Sequence, residues 1–249
     1  MATILLFHGM TSSPVELASL IDALRTKGHE VHAPLLPGHD RNDKNVEERL
    51  RAISTEEYLR FAVSELNSTT QSGKSIIVGG LSFGSLLALY LATQFSGKVS
   101  RLLLFSPPLL FKPPMKEFAL DIISTLPNLG QIGEWVLSKL PLVDKVERKD
   151  AVFSFPRSCL PIHSVGAGGR VVRIRKLALK SLDMLQIKVL VIQDPFDHLL
   201  SNAELQKFKA LQERGLLTLV LIAGGEHELA IGPRYGEVAS HTIKFIEEV

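Results

Sequence analysis

The sequence predicts an α/β protein: a mostly parallel sheet of about six strands, helices on both faces, and a helical cap inserted before the last two strands. Three observations carry this. Short apolar runs rich in β-branched residues recur with helix-length segments between them, the pattern of βαβ units. Most of these runs are apolar on successive positions rather than alternating, as in strands buried on both faces. The rhythm breaks between Pro107 and Asp183, where prolines separate apolar helical pieces and no strong strand pattern occurs.

The elements follow in order. Residues 4–7 form the first strand. Residues 14–27 form a helix: Val15, Leu17, Leu20, Ile21 and Leu24 fall at helical spacing, Ser12 or Ser13 can cap its start, and Gly28 can end it. Residues 31–36 are the second strand, and Ser54-Thr55-Glu56-Glu57 opens a helix over 55–66 with a capping-box pattern. The third strand, 75–78, leads through Gly80-Leu81-Ser82-Phe83-Gly84 into an apolar helix reaching Ala92. Residues 101–105, 189–193 and 218–223 complete the sheet, with helices at 204–214 and 235–248. The core then comprises 1–106 and 184–249, and the cap 107–183. Within the cap, Gly166-Ala167-Gly168-Gly169 reads as a flexible joint and residues 170–180 as a solvated basic helix face.

The totals exclude several classes. A net charge of +2 gives a nucleic-acid partner no electrostatic footing. The single cysteine, Cys159, can form no intramolecular disulfide, and no Cys cluster exists to bind zinc; no metal or cofactor is expected. The opening MATILLFHG is too short an apolar stretch, without preceding basic residues, to read as a signal peptide. No apolar run approaches the ~20 residues of a membrane helix. Asn67-Ser68-Thr69 reads as a chance sequon. A soluble, cytoplasmic protein without stable membrane insertion is expected; the sequence leaves its oligomeric state open.

Glycines flanking Ser82 carry the chemical signal. A strand turning sharply into a helix strains its turn residue, and side chains at Gly80 and Gly84 would clash with neighbouring elements; the serine is left proud at the helix N-terminus, a nucleophile elbow. Such a nucleophile needs two N–H donors for an oxyanion. His8-Gly9-Met10-Thr11-Ser12 follows the first strand, and the backbone N–H groups of Met10 and Phe83 are the candidates; the His8 side chain is read as structural. His227, in Gly224-Gly225-Glu226-His227-Glu228 after the last strand, is the candidate general base. For the acid that orients it, Asp194 and Asp197 compete. Asp194 precedes Pro195, where an Asx turn explains it, and Asp197 lies further into the loop and is favoured.

With these pieces in place the sequence resembles the α/β-hydrolase superfamily, and within it the bacterial carboxylesterase and monoacylglycerol-lipase-like group. The likeness is carried by His8-Gly9-Met10-Thr11-Ser12-Ser13-Pro14, Leu36-Pro37-Gly38-His39, the elbow, the stretch from Val189 to Asp197, and Gly225-Glu226-His227. It implies Ser82 as nucleophile, Asp197 as acid, His227 as base, and Met10 and Phe83 as oxyanion donors. It also places the chain's first strand at the third strand of the full superfamily sheet. Asp194 stands where the group usually has glycine, and a serine nucleophile separates the chain from related dehalogenases with aspartate there. The expected activity is that of a serine carboxylester hydrolase (EC 3.1.1) acting on a small-molecule, short-to-medium acyl ester through an acyl-enzyme on Ser82, under apolar cap residues such as Phe111 and Phe118. Two alternatives stand beside it: an acyl thioesterase whose basic stretch 170–180 meets a CoA moiety, and a non-catalytic binder of a hydrophobic ligand, against which the intact Ser-Asp-His order argues.

Overall fold

A computed structural model of the chain describes residues 1–70, 74–112, 121–122, 124–125 and 165–248. Most of the expected cap, with Phe118 and Cys159, lies outside the described residues. Six strands form one sheet: β1 (Thr3–Phe7), β2 (Glu30–His32), β3 (Ile76–Leu81), β4 (Val99–Phe105), β5 (Lys188–Gln193) and β6 (Leu217–Leu221). Their order is β2-β1-β3-β4-β5-β6 and every pairing is parallel. The helices are α1 (Ala18–Thr26), continuing a 3-10 turn at Pro14–Leu17, then α2 (Val46–Ala52), α3 (Thr55–Thr69), α4 (Phe83–Gln94), α5 (Val165–Leu179), α6 (Lys209–Glu213) and α7 (Tyr235–Glu247).

The strands divide their side chains between two cores, as period-2 alternation dictates. Leu5, Phe7, Val78, Leu102, Leu104, Val189 and Val191 pack with Tyr58, Ala62 and Leu66 of α3, with α4, and with Val171, Ile174 and Ala178 of α5. Ile4, Leu6, Ile77, Leu103, Leu190 and Ile192 pack on the other side with α1 and α7. Burial on both faces is why the strands lack alternation in sequence: Ile4 to Phe7 are all fully buried. Each such side chain contributes about 1.5–3 kcal/mol on leaving water.

Strand order fixes where loops can gather. From β1 the chain crosses to β2 on one side, and β3 then returns to β1's other side. The loops leaving the carboxyl ends of β1 and β3 therefore diverge at this switch point, opening a crevice between them.

Several features depart from the sequence expectation. The second strand covers only Glu30–His32 instead of 31–36, because Pro34 has no N–H for a ladder and the Leu36 N–H donates to His8 Nε2 at 2.9 Å. Gly166-Ala167-Gly168-Gly169 is helical, within the start of α5. The basic stretch is solvated only in part: Lys176 and Lys180 are exposed, but Arg170 and Arg175 are buried, and donate to the Leu50 carbonyl at 2.9 Å and the Pro108 carbonyl at 3.4 Å. A long side chain can bury its stem on one side of a helix while its head reaches a carbonyl. Arg173 and Lys176 pair with Glu56 at 3.0 Å and Asp121 at 2.7 Å. Within the stretch expected in the cap, Val171, Ile174 and Ala178 of α5 pack into the core beside α4. Helix α2 carries only Val46 and Leu50 as large apolar residues, too thin a stripe to reveal it. Among the described residues, no helix is long and apolar enough to cross a membrane.

Candidate active site

Ser82 sits between β3 and α4 with φ 52° and ψ −119°, a conformation that residues with a Cβ rarely adopt. It is held there from both sides: its N–H donates to the Phe105 carbonyl at 2.8 Å, and its own carbonyl accepts from the Ser85 N–H at 2.9 Å and the Ser85 Oγ at 2.5 Å. The flanking glycines are demanded by space. A Cβ on Gly84 would run into the Phe7 and His8 carbonyls, and one on Gly80 into the backbone of Gly84 and the Phe7 carbonyl. Strand β1 can therefore lie directly against the elbow.

The loops after β5 and β6 bring two further groups to Ser82. His227 Nε2 lies 2.8 Å from Ser82 Oγ, and His227 Nδ1 lies 2.8 Å from Asp197 Oδ2. The Asp197 side chain is fully buried, and its other oxygen accepts the N–H groups of Leu199 at 2.7 Å and Leu200 at 3.1 Å. Burial alone would raise its pKa. The hydrogen bond and charge of His227, with the two backbone N–H groups, outweigh that and hold the carboxyl below its ordinary value. The Asp197 carbonyl accepts from Lys112 Nζ at 2.8 Å, and an antiparallel bridge between Phe111 and Leu200 fastens this loop to the segment after β4. Asp194 does not reach the imidazole. One of its oxygens forms the expected Asx turn with the Phe196 N–H, and the other crosses to the Glu226 N–H, each at 2.7 Å.

On the β1 side, His8 is fully buried. Its Nε2 accepts the Leu36 N–H, so Nδ1 carries the proton and donates to the Gly9 carbonyl at 2.8 Å. Burial, aided by neighbouring His39, drives its pKa down to about 3, the Gly9 bond opposing only in part. His39 places Nε2 at 2.6 Å from the Met10 carbonyl and Nδ1 at 2.8 Å from the Pro37 carbonyl. Burial lowers its pKa as well, against the pull of those carbonyls. Buried Glu16 accepts the Gly9 N–H. A Cβ on Gly9 would lie 3.7 Å from the Ser82 Cβ, so the loop passes against the serine. The Met10 and Phe83 N–H groups donate to no acceptor among the described residues.

Ser82, His227 and Asp197 thus meet at the carboxyl ends of the strands, with Phe83 next to the serine in the chain and Met10 following Gly9, which passes against it. The sequence reading missed Glu16, His39 and the second bond of Asp194. Only Glu16 leaves a trace there, as a charge between Val15 and Leu17 at the first helix. A serine hydroxyl bonded to an imidazole that is backed by a buried carboxylate can give up its proton to that imidazole.

The sequence matches the family described as serine aminopeptidase, S33, over residues 1–233. A comparison with curated proteins finds no relative. Similar solved structures include one from the metagenome-derived lipolytic pair LipS and LipT, with 18% identity over 98% of this chain and 92% of that one and a TM-score of 0.75. The monoacylglycerol lipase of Paleococcus ferrophilus is 18% identical over 98% and 93%, with a TM-score of 0.72. The thioesterase domain from the curacin biosynthetic pathway is 18% identical over 98% and 91%, with a TM-score of 0.64. At these identities the likenesses establish the fold.

Proposed function

The chain belongs to the serine aminopeptidase S33 family of α/β-hydrolases, and on that premise we propose that this serine hydrolase cleaves short-to-medium acyl esters through an acyl-enzyme on Ser82. The observation that carries the reading is the unbroken line from Ser82 Oγ through both nitrogens of His227 to Asp197, with 2.8 Å at each step.

Ser82 Oγ attacks the ester carbonyl while its proton passes to His227 Nε2. Asp197 holds Nδ1–H and stabilises the imidazolium. Charge developing on the carbonyl oxygen is met by the Met10 and Phe83 N–H groups. The intermediate collapses, Nε2 returns the proton to the departing alkoxide, and the acyl group stays on Ser82. Water then attacks the acyl-enzyme with His227 again as base, and the second collapse frees the acid and returns a proton to Ser82 Oγ.

The CoA argument for a thioesterase is weakened, with Arg170 and Arg175 buried against carbonyls and Arg173 and Lys176 paired with Glu56 and Asp121.

Hydrolysis of p-nitrophenyl esters of increasing chain length tests this. Rates should peak at short to medium acyl groups, and Ser82→Ala should lower kcat on the order of 10⁶-fold. A profile still rising toward long-chain emulsified triglycerides would contradict the substrate class. Near wild-type turnover in folded Ser82→Ala would overturn the nucleophile.

A further inference from the structure

We propose that Asp194 is a positioning residue for His227: by accepting the Glu226 N–H it holds residue 226 in the left-handed conformation that turns the imidazole toward Ser82. The inference rests on the reading of His227 as base given above.

An Asx turn requires one carboxylate oxygen. Asp194 Oδ1 supplies it to the Phe196 N–H at 2.7 Å. The other oxygen spans 32 residues of sequence to the Glu226 N–H, also at 2.7 Å. Asp194 is only 2% exposed, so the bond is shielded from water. Its target is unusual. Glu226 has φ +56°, a left-handed conformation disfavoured for a residue with a Cβ, and it directly precedes His227. Two glycines come before it, and they offer the chain upstream little stiffness of its own. Downstream, the Glu228 carbonyl accepts the N–H groups of Ile231 at 3.1 Å and Gly232 at 2.9 Å. His227 thus lies between a turn on one side and Asp194 on the other. The same aspartate braces the acid loop, because its carbonyl accepts the Asp197 N–H at 3.2 Å. One side chain therefore fixes the relative placement of the two loops that supply His227 and Asp197.

The chemistry of replacement separates the two roles. A serine at 194 can still cap the Phe196 N–H but is too short to reach residue 226. The left-handed strain at 226 disappears with glycine, which adopts positive φ at no steric cost. If Asp194 acts through residue 226, its importance must shrink once residue 226 is glycine.

The experiment is a double-mutant cycle on the full chain, with kcat and KM for a p-nitrophenyl ester and thermal unfolding for each protein. Asp194→Ser should lower kcat by about tenfold to a hundredfold, the scale of a slightly misplaced catalytic group, with KM within about twofold. In a Glu226→Gly background the same substitution should cost no more than about threefold. Should Asp194→Ser fail to fold, near-isosteric Asp194→Asn serves in its place: the two donors sit on different carboxylate oxygens, so an asparagine whose oxygen stays in the Asx turn turns its NH₂ toward the Glu226 N–H, and the same pattern is expected. A variant at position 194 with wild-type kcat overturns the proposal. So does a loss of equal size in both backgrounds, which marks a merely structural aspartate. Failure of the underlying site reading looks different, since Ser82→Ala would then remain active.

Discussion

Asp197→Asn should abolish most turnover while leaving the fold intact, and the geometry says why the amide cannot compensate. Asp197 Oδ1 accepts two backbone N–H groups, from Leu199 at 2.7 Å and Leu200 at 3.1 Å, while Oδ2 faces His227 Nδ1 at 2.8 Å. An asparagine must keep its single oxygen toward the two N–H groups, because turning the NH₂ there would leave both buried donors unpaired. The NH₂ then faces Nδ1, which must become an acceptor. The ring proton moves to Nε2, which presents a donor to Ser82 Oγ and can no longer take its proton. The wrong tautomer is worth about 10⁴ in kcat, or about 5.4 kcal/mol of barrier. Stability should change far less, since the backbone bonds stay: about 1–2 kcal/mol for the lost charge-assisted bond, or roughly 2–8 °C in Tm for a chain of this size. Steady-state hydrolysis of a p-nitrophenyl ester and thermal unfolding of the same preparation check both numbers. A folded Asp197→Asn protein turning over within about tenfold of wild type would refute the reasoning.

Gly84→Ala should destabilise by about 3 kcal/mol or more, because the new Cβ meets the Phe7 and His8 carbonyls rather than a flexible side chain. A fall in Tm of about 6–12 °C is expected, and an unchanged melting curve would contradict the close packing of β1 on the elbow. His8 gives a pH signature. Its folded pKa of about 3 lies below the ordinary 6.5, so the stability gained by keeping it neutral is complete above pH 6.5 and is lost as pH falls toward 3. Between pH 7 and 4 that loss is about 3 kcal/mol. His8→Gln lacks it, so the gap in unfolding free energy between wild type and variant should narrow by that amount over the interval in denaturant titrations; a constant gap would mean that His8 carries a proton in the folded protein.

What the sequence made legible is what has local or ordinal form. Ser82 stands out because glycines on both sides are a steric requirement, and His227 and Asp197 because each follows a strand in the order the chemistry needs. What stayed hidden depends on long-range pairing. Asp194 shows its turn in the dipeptide with Pro195, but its bond to Glu226 joins two loops that no local pattern connects. His39 looks like part of a turn, and only the fold brings its Nε2 to the Met10 carbonyl. Charge misled at residues 170–180: positive side chains suggest water, yet Arg170 and Arg175 are buried because backbone carbonyls stand within reach. At the second strand the apolar run 31–36 overstated the ladder, since Pro34 breaks it and His8 captures the Leu36 N–H.

The central claim is that an acyl group passes through Ser82. Rapid mixing with p-nitrophenyl butyrate, acid quench and peptide mass analysis tests it most directly. The account expects a burst of p-nitrophenol together with one butyryl group on the peptide containing Ser82, decaying as turnover proceeds and absent from Ser82→Ala. Full turnover with the acyl group trapped on a different residue would contradict it.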